Sequence, residues 1–196
     1  MAKTKPRAGE TRPGGRTREV RNAVAASVLE LIKSGNIQFS YSELASASGV
    51  HKTTLYRRWP QRLDLIREAI EIHNQNFAIK TGSNWHDNAE AIVRGLAEFL
   101  SDPTEIAINR ALLADPQSAE SQVSVEYWRP IQASLNHLVT RAQAAGELSD
   151  DISPDTLILT LVAPLLVNTT LDLGPKSRED LIRQLTTVAR SFANTP

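Results

Sequence analysis

Apolar side chains recur every three to four residues along most of this chain, which is the period of helices and not of strands. Val20, Val24, Val28, Leu31 and Ile32 predict a first helix over residues 17–34, stopped by Gly35-Asn36. Residues 40–65 read as two short helices around a tight turn, followed by the start of a longer one. Ser40 is placed as an N-cap, and Glu43 can reach back to its amide to complete a capping box. Leu44, Ala45 and Ala47 give the first short helix a small apolar face, with Ala45 permitting close approach of its neighbour. Gly49 falls where the chain must reverse, a place that favours positive φ. Val50, Leu55 and Trp59 mark the inner side of the second short helix. Its outer side carries Lys52, Thr53, Thr54, Tyr56, Arg57 and Arg58, all able to hydrogen-bond and net positive. This is the pattern of a helix-turn-helix that puts side chains into a major groove.

Beyond it the pattern stays helical. Pro60 closes the second short helix, and a fourth helix follows with Leu63, Ile66, Ile70, His73 and Phe77 on one stripe. Ile92, Val93, Leu96, Phe99 and Leu100 predict a fifth. Asp102-Pro103-Thr104-Glu105 is a start signal for a sixth, with a cap, Pro in the first turn and Glu105 as capping-box partner. That helix carries Ile106, Leu112 and Leu113 and breaks at Asp115-Pro116. A seventh holds Trp128, Ile131, Leu135, Leu138 and Ala142 on one face and stops at Gly146, with Pro130 expected to kink it or split off its first turn. Ser153-Pro154 opens an eighth, Leu157 to about Leu173, apolar nearly all round and open to bending at Pro164. Gly174-Pro175 closes it. Ser177 with Asp180 is expected to cap a ninth, with Leu181, Leu185, Val188 and Phe192 on one stripe. A helix as apolar as the eighth must be covered, by its own subunit or by a partner.

Composition sharpens this picture. Aromatics make up 5% of 196 residues, which suits helices better than a β-sandwich. The chain has no cysteine, so disulfides and thiolate metal sites are excluded. The apolar run from Leu157 to Val167 is too short to span a bilayer, and the basic N-terminus lacks the apolar segment of a secretory signal. A cytoplasmic location and no membrane partner are the expectation. The zero net charge conceals an asymmetry: residues 1–62 hold 12 Lys/Arg against 4 Asp/Glu, and the rest holds 10 against 18. A basic head on an acidic body favours a polyanion at the head alone. Residues 1–16 read as a disordered basic arm, whose Lys3, Lys5, Arg7, Arg12 and Arg16 either follow phosphates or merely solubilise.

The spacing of Leu44-Ala45, Ser48-Gly49-Val50, Leu55-Tyr56, Trp59-Pro60 and Arg62 resembles the signature of the TetR family of bacterial transcriptional regulators. Trp59 stands where that family prefers Phe, Arg62 where it prefers Lys, and His51 where it prefers a Ser cap. The motif covers roughly the first third of the chain. The resemblance implies an all-α fold of about nine helices, with a three-helix DNA-binding domain at 17–63 and an effector-binding and dimerisation domain at 64–196. It also implies a homodimer paired through its last two long helices, for which Leu161, Leu165, Leu181, Leu185 and Val188 are the candidate interface. By resemblance and chemistry, Lys52, Thr53, Tyr56 and Arg57 are assigned to the groove and Ser42, Thr54, Arg58 and Arg62 to phosphates.

No nucleophile elbow, phosphate loop or zinc-binding helix motif is present, and the four histidines are scattered, so neither a metal, a cofactor nor a catalytic function is expected. His73, Phe77, Phe99, Tyr127 and Trp128 are candidate linings of an effector cavity, and each is equally a plain core residue. The leading reading is a homodimeric repressor of a near-palindromic double-stranded operator, released by a small, partly apolar effector. A ligand-independent DNA-binding platform is the nearest alternative. A small helical enzyme or carrier with an incidental basic head is the alternative from another class.

Overall fold

The computed structural model describes residues 15–75 and 77–194. The arm's cations from Lys3 to Arg12 lie outside the described residues. Over the rest, hydrophobic periodicity becomes nine α-helices: α1 (Gly15–Lys33), α2 (Tyr41–Ser48), α3 (Lys52–Arg58), α4 (Arg62–Asn74), α5 (Trp85–Leu100), α6 (Pro103–Ala114), α7 (Ala119–Ala144), α8 (Pro154–Thr170) and α9 (Pro175–Ser191).

Two apolar cores form. The first gathers Val24, Val28 and Ile32 of α1, Leu44 of α2, Leu55 and Trp59 around α3, and Leu65, Ile66 and Ile70 of α4. Ile108 of α6 and Val123 of α7 complete it, so the helix-turn-helix is sealed from behind by the rest of the protein. The second core joins α5, α7, α8 and α9 around Trp85, Ile92, Leu96, Leu135, Leu157 and Leu161. Trp85 is 1% exposed, and its indole N–H donates to the Ala189 carbonyl at 2.9 Å, which satisfies the polar atom of a buried ring. The chain end is tied back by Ser149 N–H to Phe192 O and Asn194 N–H to Glu147 O, which fixes the exit of α9.

Several local expectations change. The fourth helix ends at Asn74, so Phe77 lies in the following segment, edge-on to Phe99 at 4.8 Å. Pro130 does not split α7, which runs unbroken through it. Glu105 does not close a capping box, because the Asp102 N–H is already given to Phe99 O; Asp102 instead caps the Thr104 amide. Ser177 and Asp180 do not cap α9, which begins at Pro175 behind Gly174. Ser177 accepts from the Asn168 amide, and Asp180 pairs with Arg183.

The apolar helix α8 also resolves differently from its expected interface. Leu161, Leu165 and Leu185 are buried in their own subunit, at 0%, 1% and 6% exposure, and Leu181 packs against the same core. Only Val188 of that set is exposed. The outward stripe of α8 is instead Leu159, Ala163 and Val167, continued by Leu171.

Candidate nucleic-acid interface and ligand cavity

The α2–α3 unit owes its geometry to few residues. The capping box forms in full, with Glu43 N–H donating to Ser40 Oγ at 3.2 Å and Ser40 N–H to Glu43 Oε2 at 2.8 Å. These bonds hold the Glu43 carboxyl below the usual carboxylate range, the Ser40 hydroxyl being the main cause. Gly49 takes φ 68°, the left-handed turn that ends α2. His51 makes no side-chain cap, so α3 begins without the hydroxyl its position usually carries. Leu55, fully buried, and Trp59, 4% exposed, then anchor α3 from within.

Glu68 of α4 is the clamp behind this unit. One carboxylate oxygen takes the Arg21 guanidinium of α1, and the other accepts the Trp59 indole N–H. The Tyr41 hydroxyl donates to the Trp59 carbonyl at 2.6 Å, and burial raises its pKa, keeping the proton it donates. Three helices are therefore fixed to the end of α3 by polar bonds as well as packing.

The outer face that results is exposed and cationic. Ser42, Lys52, Thr53, Tyr56, Arg57 and Arg58 all stand in solvent, and Thr54 is half-buried. Tyr56, 48% exposed, stacks on Tyr41 with ring centres 4.0 Å apart. Lys52 Nζ lies 5.8 Å from the Tyr56 ring and donates to Ser42 Oγ at 2.8 Å. The face is thus partly ordered before any partner arrives. Arg58 lies over the Trp59 ring at 5.1 Å.

Arg62 departs from its expected place at a phosphate. Its guanidinium turns inward, donating to the Ile37 carbonyl and to Glu120 Oε1 of α7 at 2.5 Å. Gln38 donates to the same Glu120 oxygen at 3.2 Å. Burial opposes the charge of Glu120, but its own backbone amide, Arg62 and Gln38 together hold its carboxyl below the ordinary value. Arg62 therefore links head to body.

The expected effector set divides. A cavity of about 220 Å³ lies between α4, α5, α6, α7 and α8, and Phe99 and Trp128 both line it. His73 stands behind it, with Nε2 3.0 Å from Glu105 Oε1, and shares a shallower recess with Phe77. Tyr127 is displaced from the cavity altogether: it faces Arg21, Trp59 and Glu68 at the back of the helix-turn-helix. The α7 helix turns through about 100° per residue, so neighbours such as Tyr127 and Trp128 serve different cores. The polar lining, Asn74, Glu105, Asn109 and Ser124, was missed by a search for apolar stripes. A larger groove, about 930 Å³, opens between the end of α1 and α6, but it is broad and solvent-facing.

Among the described residues no group of His, Cys, Asp or Glu is arranged to hold a metal, and no helix is long and apolar enough to cross a membrane. A small helix-turn-helix head with an exposed cationic reading helix, sealed onto a helical body, defines a DNA-binding transcriptional regulator. The tetracyclin repressor-like C-terminal domain family matches residues 79–189. A DNA-binding transcriptional repressor, TetR, of Mycobacteroides abscessus is 36% identical over 163 residues, covering 75% of this chain and 86% of that protein. The HTH-type transcriptional regulator AqdR of Rhodococcus erythropolis is 25% identical over 150 residues, covering 76% and 72%. The crystal structure of a TetR transcriptional regulator from Chloroflexus aurantiacus shares the fold with a TM-score of 0.74 at 18% identity, covering 92% of this chain and 99% of that one. The chain belongs to the TetR family, whose members are transcriptional regulators and not enzymes.

Proposed function

We propose that the protein is a cytoplasmic homodimeric repressor of a near-palindromic operator, with its DNA-binding domain at 17–63 and its effector and dimerisation domain at 64–196, and that a small molecule in the 220 Å³ cavity releases it. The observation that carries this reading is that α4 and α7 each touch both the cavity and the head. Ile70 and Asn74 of α4 line the cavity, while Arg62 begins the same helix at the helix-turn-helix. Ser124 and Trp128 of α7 line it too, one and two turns beyond Glu120, the partner of Arg62. A ligand that prefers a different spacing of α4 and α7 shifts the position of α3, and its leverage equals its differential affinity for the two arrangements.

On the DNA, Lys52, Thr53, Tyr56 and Arg57 reach base edges from α3, while Ser42, Thr54 and Arg58 meet phosphates. Two copies related by a two-fold axis place their α3 helices in successive major grooves, roughly 34–36 Å apart. The outward stripe of α8, with Leu159 63%, Val167 51% and Leu171 64% exposed beside Val188, supplies the apolar surface for the second copy. Selection of duplexes from a random pool by the purified protein tests the reading. A palindromic winner, steep salt dependence and loss of preference in Tyr56→Ala support it; binding with no enriched sequence sinks it.

A further inference from the structure

The cavity is largely apolar, and its polar lining is Asn74, Glu105, Asn109 and Ser124. Glu105, on α6, is 7% exposed and lines the cavity; it accepts from the Asn109 amide at 3.4 Å, and His73 Nε2 stands 3.0 Å from its carboxylate. That nitrogen is an ion-pair contact from outside the lining and makes no hydrogen bond among the described residues. Asn74 also lines the cavity, and its buried side-chain oxygen has no hydrogen-bond partner among the described residues. Ser124, the remaining hydroxyl there, already donates to the Glu120 carbonyl at 3.3 Å. No Lys or Arg lines the cavity.

A carboxylate offers about four lone-pair positions, and a buried acceptor left without a donor is destabilising. A buried carboxylate whose one lining donor is the long Asn109 bond, and an amide oxygen with no partner among the described residues, call for a guest that brings several N–H donors and positive charge. An anionic guest would meet Glu105 and Asn74 with oxygen against oxygen and no Lys or Arg in the lining. We infer that the ligand of this cavity is an apolar amine, with its ammonium group between Glu105 and Asn74 and its hydrocarbon body against Phe99 and Trp128. The inference rests on the effector reading above and adds its chemical class. At about 220 Å³ the space falls below the usual range for ligand sites, roughly 300–1,000 Å³, so the guest is a single-ring or short-chain compound.

Three isosteric probes decide the matter on the full chain by titration calorimetry: 4-phenylbutylamine, 4-phenylbutan-1-ol and 4-phenylbutyrate. The amine should bind tightest, with the alcohol weaker by about tenfold or more, because bonds to a charged group are worth about 1.5–3 kcal/mol. The carboxylate should bind weakest. Glu105→Gln should bring amine and alcohol to similar affinity, and Asn74→Leu, which removes the second acceptor without touching the first, should weaken the amine while leaving its lead over the carboxylate. Equal binding of all three, or a lead for the carboxylate, overturns the amine assignment while leaving the cavity as a ligand site. Failure of all three to bind removes the cavity from the effector reading, and the amine assignment with it. The wild-type ranking alone is decisive should either variant fail to fold.

Discussion

At the scale of single residues, three positions in the head carry distinct tasks. Arg57 is exposed on α3 with no ion-pair partner among the described residues, and its guanidinium is free to make two bonds to a guanine edge. Arg57→Ala is expected to cost about 1–3 kcal/mol of discrimination at one operator position while leaving stability unchanged, measured by competition between the selected duplex and its single-base variants. Gly49 tests the turn itself. Its φ is 68° and an added Cβ meets nothing within 4 Å, so Gly49→Ala carries only the conformational cost of the left-handed region, about 1–2 kcal/mol. A urea melt showing no loss would mean that the turn relaxes on substitution. Tyr56 differs from both, since its ring stacks on Tyr41 before DNA is present and is thereby pre-oriented.

At the scale of elements, the contact between the start of α4 and the start of α7 is the part most open to experiment. Arg62 and Glu120 are both largely buried, and removing one strands the other. Arg62→Ala should cost about 1.5–3 kcal/mol of stability, read from chemical denaturation, and should weaken DNA binding through the tilt of α4 more than through a lost phosphate contact. An unchanged melting curve with a lower salt slope would restore Arg62 to the phosphates. The same link predicts a pH response. Because the folded carboxyl of Glu120 titrates below its ordinary value of 4.5, the stability it contributes is fully present above that value and fades as pH falls through the lower folded one. Denaturation midpoints followed from about pH 6 to about pH 3 should fall less steeply in Glu120→Gln than in wild type, the difference being this carboxyl's share of the acid loss.

At the scale of the whole molecule, the charge asymmetry and the apolar stripe describe how copies and DNA come together. The basic residues cluster in the head and the acidic excess in the body, so the molecule presents one end to a polyanion. The stripe of Leu159, Val167 and Leu171 lies on the surface of a single subunit, where contiguous apolar patches mark interaction sites. Val167→Glu with Leu171→Glu should yield a folded monomer with unchanged helix content and operator affinity reduced to that of one half-site. Sedimentation velocity and a binding titration check the two halves of that expectation. A dimer persisting in the double variant would move the interface elsewhere on the molecule.

Much of this was legible in the linear chain because it is local. Capping at Ser40, the turn at Gly49, the order of helices and the reading face of α3 depend on neighbours within a few residues, and period and turn chemistry report such relations directly. The cap at Ser177 and the capping-box role of Glu105 were misread, because a capping pattern cannot show that another carbonyl already holds the amide or that the helix begins earlier; the start at Asp102-Pro103 itself holds. The sorting of α8 into an inner face with Leu161 and Leu165 and an outer one with Leu159 and Val167 belongs to tertiary structure, since a helix apolar on every side carries no directional signal. So does the fate of Arg62, whose partner Glu120 lies 58 residues away and whose charge alone suits a phosphate equally well. The sequence determined a basic reading head on a helical body, while only the packing of distant helices decided which apolar faces remain outside, which cation is bound within, and that Glu105 and Asn74 line one cavity.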